Sequence, residues 1–401
     1  MKKVFEKHIL KKSIFTLQFW LLCTSSFLFF SSFNMLIPEL PEYLSKMGGG
    51  EFKGLIISLF TLTAGLSRPF SGKLTDKVGR VPVMAFGSLV CFFCGFLYPL
   101  ATTVIPFFLL RFVHGFSTGF KPTGTAAYIA DIVPANRRGE SMGIHGLIGG
   151  LGMAFGPALG GWIVQHFDIN ILFYSSSALS LLSILILLNM KETLSIERKE
   201  KFAADHLKIN RHEIIDKSVM PVVIVIFFTS FAYGTIVTLV PDLSQSIGLK
   251  NKGYYFLVYT LASIAIRFLA GKWSDKNGRE QVLLFGCWTL IFAVFILAFA
   301  HNLLILTASA ILFGISMGII SPISQAWTVD LCEEKNRGKA IATMYIALEA
   351  GIGFGALLPT FIYQNQIKNL SATFLFSMAV VSIALIYLII YKRKKKAIRY
   401  I

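Results

Sequence analysis

The chain has 401 residues, 55% of them hydrophobic and 15% charged, with a mean hydropathy of +0.67. Apolar side chains in that proportion exceed what a single water-soluble core can bury, which excludes a soluble enzyme or binding domain and places most of the chain in lipid. The formal net charge is +17, yet Lys and Arg fall in short clusters between apolar runs, a pattern that sets membrane topology rather than a nucleic-acid face.

In chain order, a basic head (Lys2, Lys3, Lys7, Lys11 and Lys12) occupies 1–15, and the apolar run after it is too long for a signal peptide and lacks a small-residue cleavage pattern. It reads as an uncleaved first span. A span takes about 20 apolar residues, and twelve can be laid out. Six, over 16–43, 52–71, 83–103, 104–130, 141–165 and 170–190, form a bundle at 16–190. A polar, charged stretch at 191–217 is the hinge. Six more, over 218–244, 252–271, 282–300, 303–330, 339–363 and 370–391, form a second bundle at 218–391, followed by a basic tail at 392–401. With both termini cytoplasmic, Lys and Arg crowd one face and only Lys46, Lys53, Lys250, Lys252 and Lys368 fall on the other. Arg68, Arg111, Lys121 and Arg267 lie within spans, where charge needs a reason. Cys91-x-x-Cys94 sits in an apolar helix without a second ligand pair, so it reads as small buried side chains rather than a metal site.

The chain is duplicated. Gly72-Lys-Leu-Thr-Asp76-Lys-Val-Gly79-Arg80 returns as Gly271-Lys-Trp-Ser-Asp275-Lys-Asn-Gly278-Arg279, with six identities in nine at an offset of 199 residues. The same offset pairs Arg68 with Arg267, Gly115 with Gly314, Gly119 with Gly318 and Asp131 with Asp330. In a membrane protein such a duplication points to a transporter built around a repeat axis. Gly72 and Gly271 are expected to let a helix end tightly against its neighbour, and Gly79 and Gly278 to permit the reversing turn. Asp76 and Asp275 can accept hydrogen bonds at an adjacent helix N-terminus. Arg80 and Arg279 can pair with Asp131 and Asp330, giving a clasp that gates one end of the bundles.

The loop signature Gly-x-x-x-Asp-Lys/Arg-x-Gly-Arg, matched in both halves, resembles the major facilitator superfamily over nearly the whole length. The resemblance implies an all-α integral membrane fold of twelve transmembrane helices, in two pseudo-symmetric six-helix bundles around a central cavity open alternately to either side. On the fifth span, Gly143-x8-Gly152-x3-Gly156-Pro157-x2-Gly160-Gly161 is similar to the pattern of proton-coupled drug antiporters. Small residues there let helices approach closely and Pro157 adds a bend. The second half keeps only Gly351, Gly355 and Pro359.

Arg111-x-x-His114-Gly115-x-x-x-Gly119 resembles the family's fourth-helix pattern, with His114 where Gln usually stands. Arg111, His114, Thr118, Lys121 and Thr125 recur at helical spacing as one polar stripe, whereas their repeat partners Ala310, Phe313, Met317, Ile320 and Ser324 are largely apolar. Loss of the repeat there points to substrate or proton work. Glu349, about ten residues into the eleventh span, has Gly150 as its repeat partner and no second carboxylate near mid-membrane. A carboxyl in that medium can exchange a proton as hydration changes. Drug antiporters often carry an acid in the first helix, where this chain has Asn34, with Glu39 and Glu42 near the outer end. Glu349 and His114 are the proton-coupling pair of this reading, and Arg111, Lys121, Asn34, Tyr233, Gln325 and Trp327 its substrate contacts.

The expected protein is a monomeric, multi-pass secondary transporter of the cell membrane, exporting a small organic molecule against an entering proton. The alternative is an importer or facilitator of a nutrient or organic anion with the same fold. No nucleophile with a base, metal cluster or phosphate loop points to an enzyme or a cofactor, and no nucleic-acid partner is expected.

Overall fold

The computed structural model describes residues 15–134, 138–196, 199–208, 215–333 and 337–398. The basic head Lys2 to Lys12 lies outside them. Among the described residues the chain forms thirteen α-helices: α1 (Leu17–Asn34), α2 (Leu40–Lys46), α3 (Lys53–Lys77), α4 (Arg80–Leu97), α5 (Val104–Ile132), α6 (Arg138–His166), α7 (Ile169–Leu188), α8 (Met220–Ser246), α9 (Tyr254–Asn277), α10 (Arg279–Ala298), α11 (Leu303–Leu331), α12 (Arg337–Tyr363) and α13 (Leu370–Ile398). Counting α1 with α2 gives twelve spans.

The expected single helix over 16–43 is two. Pro38 supplies no N–H for a helical bond, and residues 35–39 form turns before α2 starts afresh with Pro41 in its first turn. The helices before the repeated loop run further than expected, to Lys77 and Asn277, so Gly72, Asp76, Gly271 and Asp275 are helical and only the last residues turn. Gly79 (φ 140°) and Gly278 (φ 85°) make those turns, in backbone that a Cβ disfavours. Helix α13 continues to Ile398, so most of the basic tail is helical.

Among the described residues eight helices are long and apolar enough to cross a membrane, and a ninth if α9, bent by 46° between Arg267 and Leu269, is one span. The helices that fall short, α1 with α2, α3 and α5, carry much of the polar chemistry described below. Large apolar side chains such as Ile105, Leu304 and Phe361 stand outward, as lipid-facing residues do.

The 199-residue offset carries α3 onto α9 and α6 onto α12. Accordingly the two halves meet through the same contact made twice, α3 on α12 and α6 on α9. Within each half the glycines admit backbone. Added Cβ atoms at Gly115 and Gly314 would strike Phe60 O and Tyr259 O, carbonyls that the offset itself relates. Hydroxyls supply the polar glue of the first half: Ser25 and Ser183 share a bond of 2.9 Å, Ser32 donates to Ser176 O (2.9 Å) and Ser180 to Ser88 O (2.7 Å).

The fifth-span glycines divide. Gly152, Gly156 and Gly160 face the carbonyls of Phe27, Ser31 and Met35 on or just after α1, and Gly161 faces Asn251 of the other half. Gly143 faces open space. A Cβ at Gly156 would lie 2.5 Å from Ser31 O and 3.0 Å from Met35 N, and forcing backbone apart in a packed interface costs roughly 1–3 kcal/mol. Gly156→Ala is therefore expected to lower the melting temperature of the protein in detergent micelles, whereas Gly143→Ala leaves it unchanged; equal melting of the two variants would contradict this packing.

Candidate transport site

Helices from both halves line a cavity of about 950 Å³, within the size range that holds small organic ligands. Its walls include Phe30, Phe33 and Asn34 from α1, Phe60 and Arg68 from α3, Tyr233 from α8, and Tyr345 and Glu349 from α12. Lys73, Asp76, Lys208 and Lys339 lie toward the end that carries the linker. At that linker end the lining reaches solvent, with the Asp76 side chain 73% exposed, whereas Lys53, Asp242, Glu39 and Lys252 at the far end are buried.

At the heart of the cavity the Arg68 Nη2 donates to Glu349 Oε1 at 2.8 Å, and the guanidinium lies 4.5 Å from the centroid of the Tyr345 ring. The two side chains are 12% and 10% exposed, so the pair is nearly dry while still facing the cavity. It joins α3 to α12, one half to the other. Sequence reasoning found both charges but not their pairing, because they are 281 positions apart.

The polar stripe of α5 splits. Its members span about 80° of the helix at 3.6 residues per turn, and the edge of the cavity runs through that arc. Arg111 and Thr118 line the cavity. Arg111 is 2% exposed, donating from Nε to Ile56 O (2.8 Å) and from Nη1 to Tyr98 Oη (3.3 Å) over the Phe60 ring. His114, with no exposed surface, turns to α4: Nδ1 shares a hydrogen bond with Tyr98 Oη (3.2 Å) and Nε2 lies 3.3 Å from Cys91 Sγ. Thr125 bonds Met84 Sδ. Lys121 points toward α1 and α7, donating to Ser25 O (3.0 Å), Ser25 Oγ (2.9 Å) and Ser183 Oγ, with the ammonium 4.8 Å from the Phe29 ring centroid. His114 and Lys121 do not line the cavity, and the ring nitrogens of His114 face Tyr98 and Cys91 rather than Glu349.

Of the other expected contacts, Asn34 and Tyr233 line the cavity. Asn34 also donates to Phe30 O at 2.7 Å, and Tyr233 stacks on Phe313. Gln325 is exposed and donates to Tyr345 Oη at 3.4 Å. Trp327 is buried against Tyr391 on α13, away from the cavity.

At the linker end Arg80 donates from Nε to Asp131 Oδ2 (2.9 Å) and Arg279 to Asp330 Oδ2 (2.8 Å). Both arginines also reach back one turn, to Asp76 (3.4 Å) and Asp275 (2.5 Å). Two expectations for this loop are corrected. A Cβ at Gly72 or Gly271 would meet nothing within 4 Å, because these residues face open space inside a continuing helix. Asp76, with 73% of its side chain exposed, does not serve the adjacent helix N-terminus. Glu192 of the linker does, accepting from Arg80 N (3.1 Å) and Val81 N (3.0 Å), and sequence reasoning missed it. The linker is strapped to α3 again at Glu200, whose carboxylate takes Lys77 Nζ (2.5 Å) and His206 Nε2 (2.7 Å). Those hydrogen bonds, from Lys77 and then His206, hold the Glu200 carboxyl below the usual range. The strap is thus present above the ordinary carboxylate pKa and is lost as pH falls through the lowered one.

The far end is closed by two buried charge clusters that join the halves. Lys53, at the start of α3, donates to Asp242 Oδ2 of α8 at 2.5 Å, and Tyr363 Oη donates to the same oxygen at 2.7 Å. Lys252, just before α9, pairs with Glu39 (3.3 Å) and Glu42. Lys53 and Lys252 are themselves 199 residues apart, a signal present in the sequence and not used. Gly253 packs on Pro157 O beside them, and Asn251 donates to Ala158 O at 3.2 Å.

A two-fold repeat of helices around a central cavity, shut at one end and open at the other, defines a multi-pass membrane transporter of small molecules. The family model of the Major Facilitator Superfamily matches residues 22–265 and 222–399, and the chain belongs to that family. It is similar to Multidrug resistance protein 2 of Bacillus subtilis, 26% identical over 275 residues, covering 66% of this chain and 68% of that protein. It is also similar to the Quinolone resistance protein NorA of Staphylococcus aureus, 30% identical over 180 residues and 44% of each chain. Among solved structures, the human organic anion transporter MFSD10 (TETRAN) superposes with a TM-score of 0.72 at 16% identity, covering 92% of this chain and 98% of that one. A D-xylose-proton symporter superposes with a TM-score of 0.76 at 15% identity, covering 92% and 95%. These last two likenesses establish the fold alone.

Proposed function

We propose that the protein exports a small organic molecule across the cell membrane in exchange for protons, by alternating access of the central cavity. In this reading the linker end and both termini face the cytoplasm, the conformation described is the inward-open one, and Glu349 is the residue that loads and releases the proton. The single observation that carries it is the Glu349 carboxylate, held by Arg68 across the seam between halves and facing the cavity. A group at that place feels both the substrate and the change in hydration when the halves rock. The names of the relatives, one for multidrug and one for quinolone resistance, support export. Arg111, His114 and Tyr98 then act as a positioning network that fixes α5 against α3 and α4.

The excess of Arg and Lys over carboxylates along the cavity favours a second reading, uptake or facilitated passage of an organic anion. One experiment separates them. Protein is reconstituted in vesicles, a pH gradient is imposed, and proton and solute fluxes are followed together. Coupled counterflow is the expected result, and equilibration that ignores the gradient would exclude antiport.

A further inference from the structure

The charges of the cavity limit which substrate it can accept. Among the described residues Arg68, Lys73, Arg111, Lys208 and Lys339 line it against Asp76 and Glu349, with Tyr233 and Tyr345 as its phenols and Gln325 bonded to Tyr345. A plain cation drawn to Glu349 would displace Arg68 and leave a guanidinium unpaired among like charges. A plain anion drawn to Arg68 would leave the Glu349 carboxylate unpaired in a nearly dry site. Breaking a buried pair by satisfying one partner alone is the unfavourable case. A molecule carrying both an acid and a protonated amine can replace each partner at once.

We propose that the Arg68–Glu349 pair is a split docking site for an amphipathic zwitterion: the acid group binds Arg68, the ammonium binds Glu349, and the Phe30, Phe33, Phe60 and Tyr345 rings hold the body. Arg68 is equipped for it. The guanidinium uses Nη2 on Glu349, while its Nε is buried without a hydrogen-bond partner among the described residues, so the two-pronged donor that suits a carboxylate is half unused. Glu349 is reachable, since it lines the cavity, and Gly65 puts no side chain beside its Cβ and Cγ. The inference rests on the export reading in one respect. A proton arriving at Glu349 competes with the substrate's ammonium for the same oxygens, which is how exchange for protons follows from binding.

The test is equilibrium binding to the purified full chain in lipid nanodiscs, without any gradient, using an aminomethyl-naphthoic acid, its methyl ester and its N-acetyl derivative. The zwitterion is expected to bind about ten-fold tighter than either blocked form, the value of one good charge-assisted contact. Arg68→Gln should bring acid and ester to equal affinity, Glu349→Gln should do the same for zwitterion and N-acetyl acid, and Arg68→Lys should keep the preference for the acid. Equal affinities of the three probes for the wild-type protein overturn the proposal, whether or not the variants fold. So does a folded Arg68→Gln protein, monodisperse on elution, that still prefers the acid. Intact discrimination without proton-coupled flux would instead sink the export reading and leave the docking site standing.

Discussion

Replacing Glu349 by Gln is expected to abolish accumulation driven by a pH gradient while leaving exchange of substrate for substrate across the membrane when substrate is saturating. The amide keeps the shape and one acceptor for Arg68, but it cannot take up and release a proton, so the link between proton and solute is cut at the buried carboxylate that lines the cavity among the described residues. A coupling free energy between two ligands is typically about 1–3 kcal/mol; with it lost, an imposed gradient should give no accumulation beyond equilibration. Reconstituted vesicles that contain labelled substrate inside and out report exchange, and the same vesicles under an imposed gradient report coupling. Gradient-driven transport at the wild-type level in Glu349→Gln would remove this residue from the mechanism. His114→Gln gives the contrast: its ring is packed on Tyr98 and Cys91 away from the cavity, so coupling should survive with at most a loss of stability.

The second large effect is expected at the far end. Lys53→Gln with Lys252→Gln removes both cations that lock the halves there: Asp242 is left with Tyr363, and Glu39 is left beside Glu42, which keeps Lys46 of its own half (2.8 Å). The Lys53 and Asp242 side chains are 6% and 8% exposed, and stripping one partner from a buried pair penalises the conformation that buries it. The closed far end should lose population to the open one, by ten-fold for each 1.4 kcal/mol or so. A cysteine at Ile37, which lines the cavity, reports this through its rate of labelling by a membrane-impermeant maleimide added from that side. The double variant should label at least about ten times faster than the parent, each single variant less. Unchanged labelling would reduce the clusters to packing charges. The exchange Lys53→Asp with Asp242→Lys should restore slow labelling. On the pH axis, burial alone would lower the Lys252 pKa, but Glu39 and Glu42 together hold it above the usual lysine range. The lysine side of the lock is therefore fully present below the ordinary lysine pKa and lost only as pH rises through the raised one.

How much of this was legible in the sequence differs between scaffold and site. Apolar runs, their charged breaks and the 199-residue repeat announced the spans and their pairing by halves, because a helix in lipid must satisfy its own backbone and leaves a long apolar signature. The Arg80–Asp131 and Arg279–Asp330 contacts were readable because a repeat that keeps both members keeps their meeting place. Gly72 misled, since a glycine in a motif can as well face open space as a neighbour.

By itself the sequence determined that this is a duplicated, lipid-embedded helical protein with a few costly charges inside its spans, since hydrophobicity and repetition are properties of the chain order. Only the tertiary structure decided what those charges do. Helical spacing set Arg111, His114 and Lys121 on one face of α5, but the packing of α1, α4 and α7 turned two of them into buried donors and left one beside the cavity. Arg68 and Glu349 became a pair, and Lys53 met Asp242, because the two halves close on each other. A contact between distant segments depends on where whole helices lie, which local order along the chain does not encode.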